Sequence, residues 1–217
     1  EFRLDHLEFC KKLGVLGKVL VGKEGINGSI SGTREQTEAY MAYLHSDPRF
    51  SNVVFKIEDG LEHPFRKMVV RVKKEIIRMD KEVDMSNTGE YIEADDFLKV
   101  VDDKNTIIID TRNDYEWRVG KFKNALTLDI KNFREFPEAI EKLEHLKDKK
   151  IAIYCTGGIR CEKASAYMKQ QGFSNVSQLH GGIINFCQQK PNSAWEGSCF
   201  VFDNRMISRV GNEENPI

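Results

Sequence analysis

The sequence lacks the features that mark membrane, exported or disulfide-stabilised proteins. No apolar run approaches the roughly 20 residues that cross a bilayer, and no basic and apolar leader opens the chain. The 5 cysteines are odd in number and have no tight repeating spacing, which argues against a disulfide framework and for a reducing compartment. We therefore expect a cytoplasmic protein without a membrane segment.

Metal-ligand patterns are missing as well. The chain has no C-x-x-C pair, and its histidines are scattered without ligand-like spacing at His6, His45, His63, His145 and His180. We predict no metal site, and no cofactor is evident. The net charge of −1 offers no general attraction to nucleic acid.

One stretch departs from this neutral balance. Residues 66–81, which we call the basic stretch, carry seven cations against Glu75 and Asp80, a net charge of +5. Such a stretch either holds a phosphate backbone or forms one solvated face of a strand. Its cations are Arg66, Lys67, Arg71, Lys73, Lys74, Arg78 and Lys81.

The 217 residues, 40% apolar and 31% charged, suit a globular chain of two domains. Hydrophobic periodicity predicts an α+β domain over 1–85. A strand upstream of Glu1 would complete a ferredoxin-like, split βαβ sheet. One helix is predicted at Leu4–Leu13, and a second begins after a capping box at Thr33 and runs to His45. The predicted strands are Lys18–Val21, Ile26–Ser31, Val53–Ile57 and Lys67–Lys73.

A polar, turn-prone segment over 86–92 is predicted to link this domain to a second one over 93–195. There, continuous apolar strands alternate with helices, which indicates an α/β domain with a parallel sheet covered on both faces. Strands are predicted at Thr106–Asp110, Ile151–Tyr154 and Val176–Leu179, and helices at Glu93–Val101, Phe133–His145, Glu162–Gln171 and near Ile183.

The remaining residues, 196–217, are predicted to be a truncated C-terminal tail. Because the sequence starts at Glu1 without a methionine, we expect a piece of a longer protein, and a lost leader stays open.

The loop from Cys155 to Cys161 is the strongest candidate for chemistry. It reads Cys155, Thr156, Gly157, Gly158, Ile159, Arg160, Cys161, and it lies between a predicted strand and a predicted helix. Such a turn gathers backbone N–H groups at the positive end of a helix dipole, which favours a thiolate. Arg160 adds a fixed positive charge. The alternative is a structural cysteine ahead of a flexible glycine turn.

Other residues near this loop have open roles. Cys161 is either a resolving thiol that forms a disulfide with Cys155 or a buried helix residue. Asp110 and Arg112 end the neighbouring strand, where an ion pair would brace the loop. Cys10, Cys187 and Cys199 are interpreted as structural.

Four ordered signatures resemble a rhodanese domain. They are Asp110-Thr-Arg112 with Tyr115-Glu-Trp117 and Gly120, then Asn124-Ala125, then Cys155 to Arg160, and finally Leu179-His-Gly-Gly182. Lys121-Phe-Lys departs from the Gly-His-Ile of many members, but that histidine is not catalytic in the family.

Three further segments narrow the resemblance to the bacterial tRNA uridine hydroxylases. They are Gly22-Lys-Glu-Gly-Ile-Asn-Gly28, the whole loop Cys155–Cys161, and Cys199-Phe-Val-Phe-Asp203. The resemblance implies tRNA as partner and molecular oxygen as co-substrate, and 5-hydroxyuridine at the wobble position as product. A cysteine-rich stretch usually follows the last segment in this family, whereas this sequence stops at Ile217.

The length of the loop separates two chemistries. A C-x4-R loop spans six residues and forms an amide bowl that accepts a persulfide or a small sulfur oxyanion, whereas phosphatases of this fold use one residue more. Cys155 is therefore the predicted nucleophile, with Arg160 and the amides of Thr156 to Cys161 as anion-binding groups. A persulfide-forming sulfurtransferase and a non-catalytic binding module remain alternatives.

For tRNA binding we name Arg66, Lys67, Arg71, Lys73 and Lys74 as possible contacts. Phe65 and Tyr91 either stack on a base or belong to the core. The sequence predicts no oligomeric state.

Overall fold

A computed structural model describes residues 1–60, 63–191 and 193–208. They form two compact units: residues 1–76 with 203–205, and residues 77–202 with those from Met206 on. Among the helices of these described residues, none is long and apolar enough to cross a membrane.

The first unit is a small α+β domain with a three-stranded sheet. Its strands lie in the order β2-β1-β3, with β1 antiparallel to β2 and parallel to β3. Both helices contribute to an apolar core that includes Cys10, Tyr40 and Leu44. Its elements are α1 (Phe2–Leu13), β1 (Leu16–Gly22), β2 (Gly25–Ser31), α2 (Arg34–His45) and β3 (Met68–Val72).

The capping box predicted at Thr33 is confirmed. The amide of Gln36 donates to Thr33 Oγ1 at 3.3 Å, and the Gln36 side chain accepts the Thr33 amide at 2.8 Å. The strand predicted at Val53–Ile57 is wrong, because this segment is in no ladder of the described residues. Its alternation still reflects packing, since Val53 and Phe55 lie against the core while Val54 points outward.

The second unit is built on a five-stranded, all-parallel sheet in the order β4-β9-β8-β5-β7. Two short antiparallel pairs, β6 with β10 and β11 with β12, lie outside it. The elements are β4 (Glu90–Ile92), α3 (Ala94–Asp102), β5 (Thr106–Asp110), α4 (Asp114–Trp117), β6 (Gly120–Phe122), β7 (Leu126–Thr127), α5 (Phe136–Glu141), β8 (Lys150–Tyr154), α6 (Ile159–Gln170), β9 (Asn175–Leu179), α7 (Gly182–Gln189), β10 (Trp195–Gly197), β11 (Cys199–Phe200) and β12 (Ile207–Ser208).

Strand β8 shows why its sequence is continuously apolar. Ile151 and Ile153 pack into a core with α5 and α6 on one face of the sheet, while Ala152 and Tyr154 pack into a core with α3 and α7 on the other. Both faces are covered, so successive side chains are all buried. Each fully buried isoleucine contributes about 1.5–3 kcal/mol. The parallel sheet predicted from the sequence is confirmed.

The structure differs from the predicted elements in several places, and α4, β6, β7, β10, β11 and β12 were not predicted. The helix predicted at Phe133–His145 is split into the 3-10 turn Phe133–Glu135, α5, and the 3-10 turn Glu144–Leu146. Pro137 lies in the first turn of α5, because a proline ring is tolerated there and not further along a helix. Helix α6 begins at Ile159, three residues before the predicted start, and β4 has no predicted counterpart.

The domain boundaries also lie elsewhere than predicted. Residues 77–85, assigned from the sequence to the first domain, belong to the second unit, where Met79 is in the core. The predicted linker 86–92 contains β4, an edge strand of the parallel sheet. The Gly89 amide donates to Ser165 Oγ at 2.8 Å. Of the predicted tail 196–217, residues 209–217 lie outside the described residues.

Candidate active site

Cys155 lies where the central strand β8 ends and before α6 begins. The carboxyl end of a parallel strand, followed by a helix N-terminus, is the usual place for a site in such sheets. Its side chain is fully buried, and the Gly158 amide donates to Cys155 Sγ at 3.1 Å. Gly158 takes a left-handed φ of +91°, so this bend requires glycine. The predicted strand-to-helix turn is therefore present.

Burial and hydrogen bonding compete at the thiol of Cys155. Burial alone would raise its pKa because it disfavours the charged form. A hydrogen bond from the Cys161 thiol, the positive charge of Arg160 and the amides of Arg160 and Cys161 outweigh burial and lower the pKa to about 5. These contacts favour the thiolate form of Cys155 over the neutral thiol.

Cys161 behaves in the opposite way. It is fully buried in the first turn of α6, and Thr111 Oγ1 lies 3.7 Å from its sulfur. Burial first, and then the neighbouring Cys155, raise the pKa of Cys161 well above its ordinary value. Cys161 is thus a neutral thiol that donates to the thiolate. Both of its predicted roles stay open, because a buried residue in contact with Cys155 suits either.

Arg160 is held by a partner to which the sequence analysis assigned no role. Glu116, fully buried, accepts two hydrogen bonds from the Arg160 guanidinium, at 2.6 and 2.8 Å. It also accepts the Thr156 hydroxyl at 3.1 Å and the Asn113 amide at 3.2 Å. Burial by itself would lower the pKa of Arg160. The hydrogen bonds and negative charge of Glu116 outweigh this effect and raise the pKa, so the guanidinium stays charged. Glu116 therefore positions the charge that acts on Cys155.

The predicted ion pair between Asp110 and Arg112 is present and fully buried. Arg112 Nη2 lies 2.6 Å from Asp110 Oδ2, and the same nitrogen donates to the Gly120 carbonyl at 2.6 Å. Tyr154, the residue before Cys155, donates its hydroxyl to Asp110 Oδ2 at 2.6 Å and accepts the Phe122 amide. The pair thus ties the ends of β5 and β8 to β6, which agrees with a supporting role.

The Leu179-His-Gly-Gly182 signature forms the wall behind the loop. The amides of Ile183 and Ile184 donate to the carbonyls of Cys155 and Thr156 at 3.0 and 3.1 Å. A Cβ added at Gly182 would lie 2.5 Å from the Cys155 carbonyl and 2.6 Å from the Gly158 amide, so only glycine fits there. The N-terminus of α7 therefore fixes the backbone of the reactive loop.

Outside the loop, the predicted tRNA contacts lie in the first unit. Arg71 is on β3, at one edge of the three-stranded sheet. The exposed cations are Arg66, Lys67, Arg71, Lys73 and Lys74. Phe65 is half-buried, and Tyr91, on β4, is exposed and donates its hydroxyl to Glu162.

Sequence reasoning missed Glu116 and Tyr154 as parts of the site. Both lie in segments already singled out, the rhodanese-like signature and the strand before Cys155. Their partners Arg160 and Asp110 are each 44 positions away along the chain. The available signal was the position of Glu116 inside a signature segment. Its burial, and therefore its need for an opposite charge, is visible only in the structure.

Two family descriptions match the two units. Residues 1–76 match the UPF0176 acylphosphatase like domain, and residues 93–189 match the rhodanese-like domain. A solved structure of a rhodanese-related protein from Thermoplasma volcanium is 28% identical, with a TM-score of 0.40, and covers 46% of this chain and 93% of that one.

Curated relatives match over the whole chain. A tRNA uridine(34) hydroxylase of Cytophaga hutchinsonii is 48% identical over 99% of this chain and 69% of its own length. A protein of the same name from Bacillus licheniformis is 47% identical over 100% of this chain and 69% of its own length. The chain carries both domains and the thiolate loop, and it belongs to the tRNA uridine(34) hydroxylase family.

Proposed function

We propose that this chain hydroxylates uridine 34 of tRNA to 5-hydroxyuridine, with Cys155 as the catalytic residue. The observation that carries the proposal is a cysteine whose sulfur accepts an amide of the rhodanese loop, in a chain that is 48% identical to a tRNA uridine(34) hydroxylase over 99% of its length. Molecular oxygen is the proposed co-substrate, on the family resemblance.

The chemical role of Cys155 follows from its ionisation. A thiolate adds to C6 of uracil, forming an S–C6 bond while the C5–C6 π pair moves onto C5 and O4. This makes C5 nucleophilic toward one oxygen atom of O2, while the other oxygen atom leaves as water with two electrons and two protons from an external thiol reductant. Once C5 carries the new oxygen, loss of the C5 proton expels the thiolate from C6 and restores the C5–C6 double bond. Arg160 and the loop amides hold the thiolate before addition and receive it again at departure.

The proposed tRNA contacts are the exposed cations Arg66, Lys67, Arg71, Lys73 and Lys74. Their exposure supports phosphate binding and agrees equally with a solvated strand face. Each phosphate contact adds about 0.7–0.9 to the slope of log affinity against log salt. Replacing Arg71 and Lys73 by serine should therefore reduce that slope for tRNA, whereas an unchanged slope would favour the solvated face.

Replacing Cys155 by alanine tests the proposed function. We expect Cys155→Ala to abolish 5-hydroxyuridine, measured by mass spectrometry of nucleosides from tRNA incubated with the purified protein, while tRNA affinity changes less than about twofold. Cys187→Ala is the matched control, because Cys187 is a half-buried thiol of the same unit and should leave the product unchanged. Hydroxylation at the normal rate by Cys155→Ala would contradict the proposal.

A sulfurtransferase is the second candidate, because the same six-residue thiolate loop suits a persulfide on Cys155. Incubation with thiosulfate and cyanide distinguishes the two. Rapid thiocyanate release together with no hydroxylated nucleoside would favour sulfur transfer.

A further inference from the structure

Three exposed or half-buried aromatic rings lie beside the Cys155 loop and have no role in the chemistry above. We call Tyr115, Phe200 and Phe202 the aromatic patch. Phe202 is 57% exposed and Tyr115 is 41% exposed. Among the described residues, Phe202 is in neither apolar core of the second unit. A phenylalanine with more than half of its surface in water contributes little to folding, so core packing does not account for its position.

The patch is held in a defined arrangement. Phe200 packs edge-on against Tyr115 and against Phe202, with ring centroids 5.2 Å apart in both pairs. Asn113 donates its side-chain amide to the Tyr115 hydroxyl at 2.7 Å. The Val201 amide donates to the Met206 carbonyl at 2.9 Å, which closes the hairpin of β11 and β12. These contacts fix the positions of the three rings relative to one another.

Arg160 connects this surface to the reactive thiolate. Its guanidinium carbon lies 5.7 Å from the centroid of the Phe202 ring, in a cation–π contact, and its charge acts on Cys155. The same guanidinium donates two hydrogen bonds to Glu116, and these hold the Arg160 side chain in its position beside Phe202. Phe202 therefore contacts a residue of the loop that holds Cys155. One ring face of Phe202 is toward Arg160, and its exposure leaves other ring surface open.

Building on the proposed function, we propose that Phe202 is a positioning residue on which the uracil ring of the target nucleotide stacks beside Cys155. A base taken out of its own stack loses its neighbours and needs an apolar face to replace them. Aromatic side chains supply that face to single-stranded RNA. Phe200 packs edge-on against the Phe202 ring, and Tyr115 packs against Phe200.

Binding to a matched pair of RNAs tests this directly. The probes are an anticodon stem-loop with uridine at the wobble position and the same stem-loop with an abasic site there, both titrated against the full chain carrying Cys155→Ala. We expect the uridine probe to bind about 5- to 150-fold tighter, the range for one stacked base. Adding Phe202→Leu should remove this preference, and Phe202→Trp should keep it.

The controls separate stacking on the base from contact with the RNA backbone. Met206→Leu alters another exposed apolar residue of the same hairpin loop and should leave the preference intact. An equal loss of affinity for both probes in Phe202→Leu would overturn the proposal, because it would indicate contact with the RNA backbone. A preference that survives Phe202→Leu would overturn it too.

Activity distinguishes this inference from the proposed function. In the chain with Cys155 intact, Phe202→Leu should lower kcat/KM for hydroxylation by a similar factor and leave the pH at which Cys155 titrates unchanged. A shifted titration would overturn the stacking role, since Phe202 would then act through Arg160. Failure of the unaltered chain to hydroxylate tRNA would refute the proposed function, and the probe preference would still decide the stacking.

Discussion

Two regions of the molecule each bury a cysteine completely and have opposite effects on its pKa. At Cys10, in α1 of the first unit, burial raises the pKa to about 11. At Cys155, burial also raises the pKa, but a donor thiol, a guanidinium and amides lower it to about 5. Burial alone therefore makes a cysteine inert. Reactivity requires charged and polar groups buried with the thiol.

The charged side chains buried near Cys155 are each paired with a side chain of opposite charge. Around Cys155 the fold buries the charged side chains of two ion pairs, Asp110–Arg112 and Glu116–Arg160. Cys10 lies instead among apolar and aromatic residues such as Val15, Tyr40 and Leu44. Buried ion pairs offset their desolvation only with good geometry. The second unit therefore accepts a less stable interior around the loop that binds the thiolate.

The largest expected effect is the difference in pKa between Cys155 and Cys10. A pH titration that follows the ultraviolet absorbance of the thiolate measures it. Wild-type protein should show a thiolate that forms with a midpoint near pH 5. That signal should vanish in Cys155→Ser and persist in Cys10→Ser, because the pKa of Cys10 is about 11 and its thiol stays protonated at neutral pH. A midpoint near 8.5, the ordinary value for a thiol, would refute the difference between the two regions.

Folding stability provides a second readout of the same difference. The folded pKa of Cys155 lies below its unfolded value, so the stability contributed by the thiolate is full above about pH 8.5. It is lost progressively as the pH falls toward the folded pKa of about 5. The free energy of unfolding of wild type relative to Cys155→Ser should therefore decrease over that interval, and no such trend is expected for Cys10→Ser.

Removing the charge of Arg160 should make Cys155 more like Cys10. We expect Arg160→Gln to raise the Cys155 midpoint by about 1–3 pH units, because a cation within a few ångströms contributes that much and the Glu116 carboxylate is left without its partner. The same thiolate titration measures it. Arg118→Gln, at a largely exposed arginine, should leave the midpoint unchanged.

Loss of folding needs a separate check in that experiment, because breaking a buried ion pair costs about 3–5 kcal/mol. Arg160→Lys keeps the charge without the two-pronged contact to Glu116, and it should raise the midpoint by less than Arg160→Gln does. Equal midpoints in wild type, Arg160→Lys and Arg160→Gln would show that the Cys161 thiol and the amides hold the thiolate without Arg160.

The local parts of this site were predictable from the sequence. An apolar strand, a cysteine, two glycines and a helix pattern indicate the position of Cys155 and its turn, because each depends on neighbours in the chain. The signature Leu179-His-Gly-Gly182 was recognisable as well, but its packing against the loop was not. Gly182 is needed because its Cα comes close to the Cys155 carbonyl, and that contact exists only in the folded sheet.

Pairing between distant residues was beyond the sequence. Arg160 could be assigned a positive charge near the thiol, but its attachment to Glu116 depends on how α4 packs against the loop. The segment Val53–Ile57 shows the same limit for backbone structure. Val53 and Phe55 lie against the core, as in a strand, yet a strand also needs a neighbouring strand for its hydrogen bonds, which the sequence pattern cannot reveal.

The smallest expected effect concerns Cys161 and decides between its two roles. Cys161→Ala removes the hydrogen bond that lowers the Cys155 pKa more than any other single contact, so the Cys155 midpoint should rise. The rise should stay below that for Arg160→Gln because all buried charges keep their partners. Cys161→Ser keeps a donor and should stay near wild type. A resolving thiol would show itself differently, because mass spectrometry would then trap a Cys155–Cys161 disulfide in the wild type and Cys161→Ser would lose turnover. Full turnover by Cys161→Ser would leave Cys161 as a buried donor, whose role is to make Cys155 unlike Cys10.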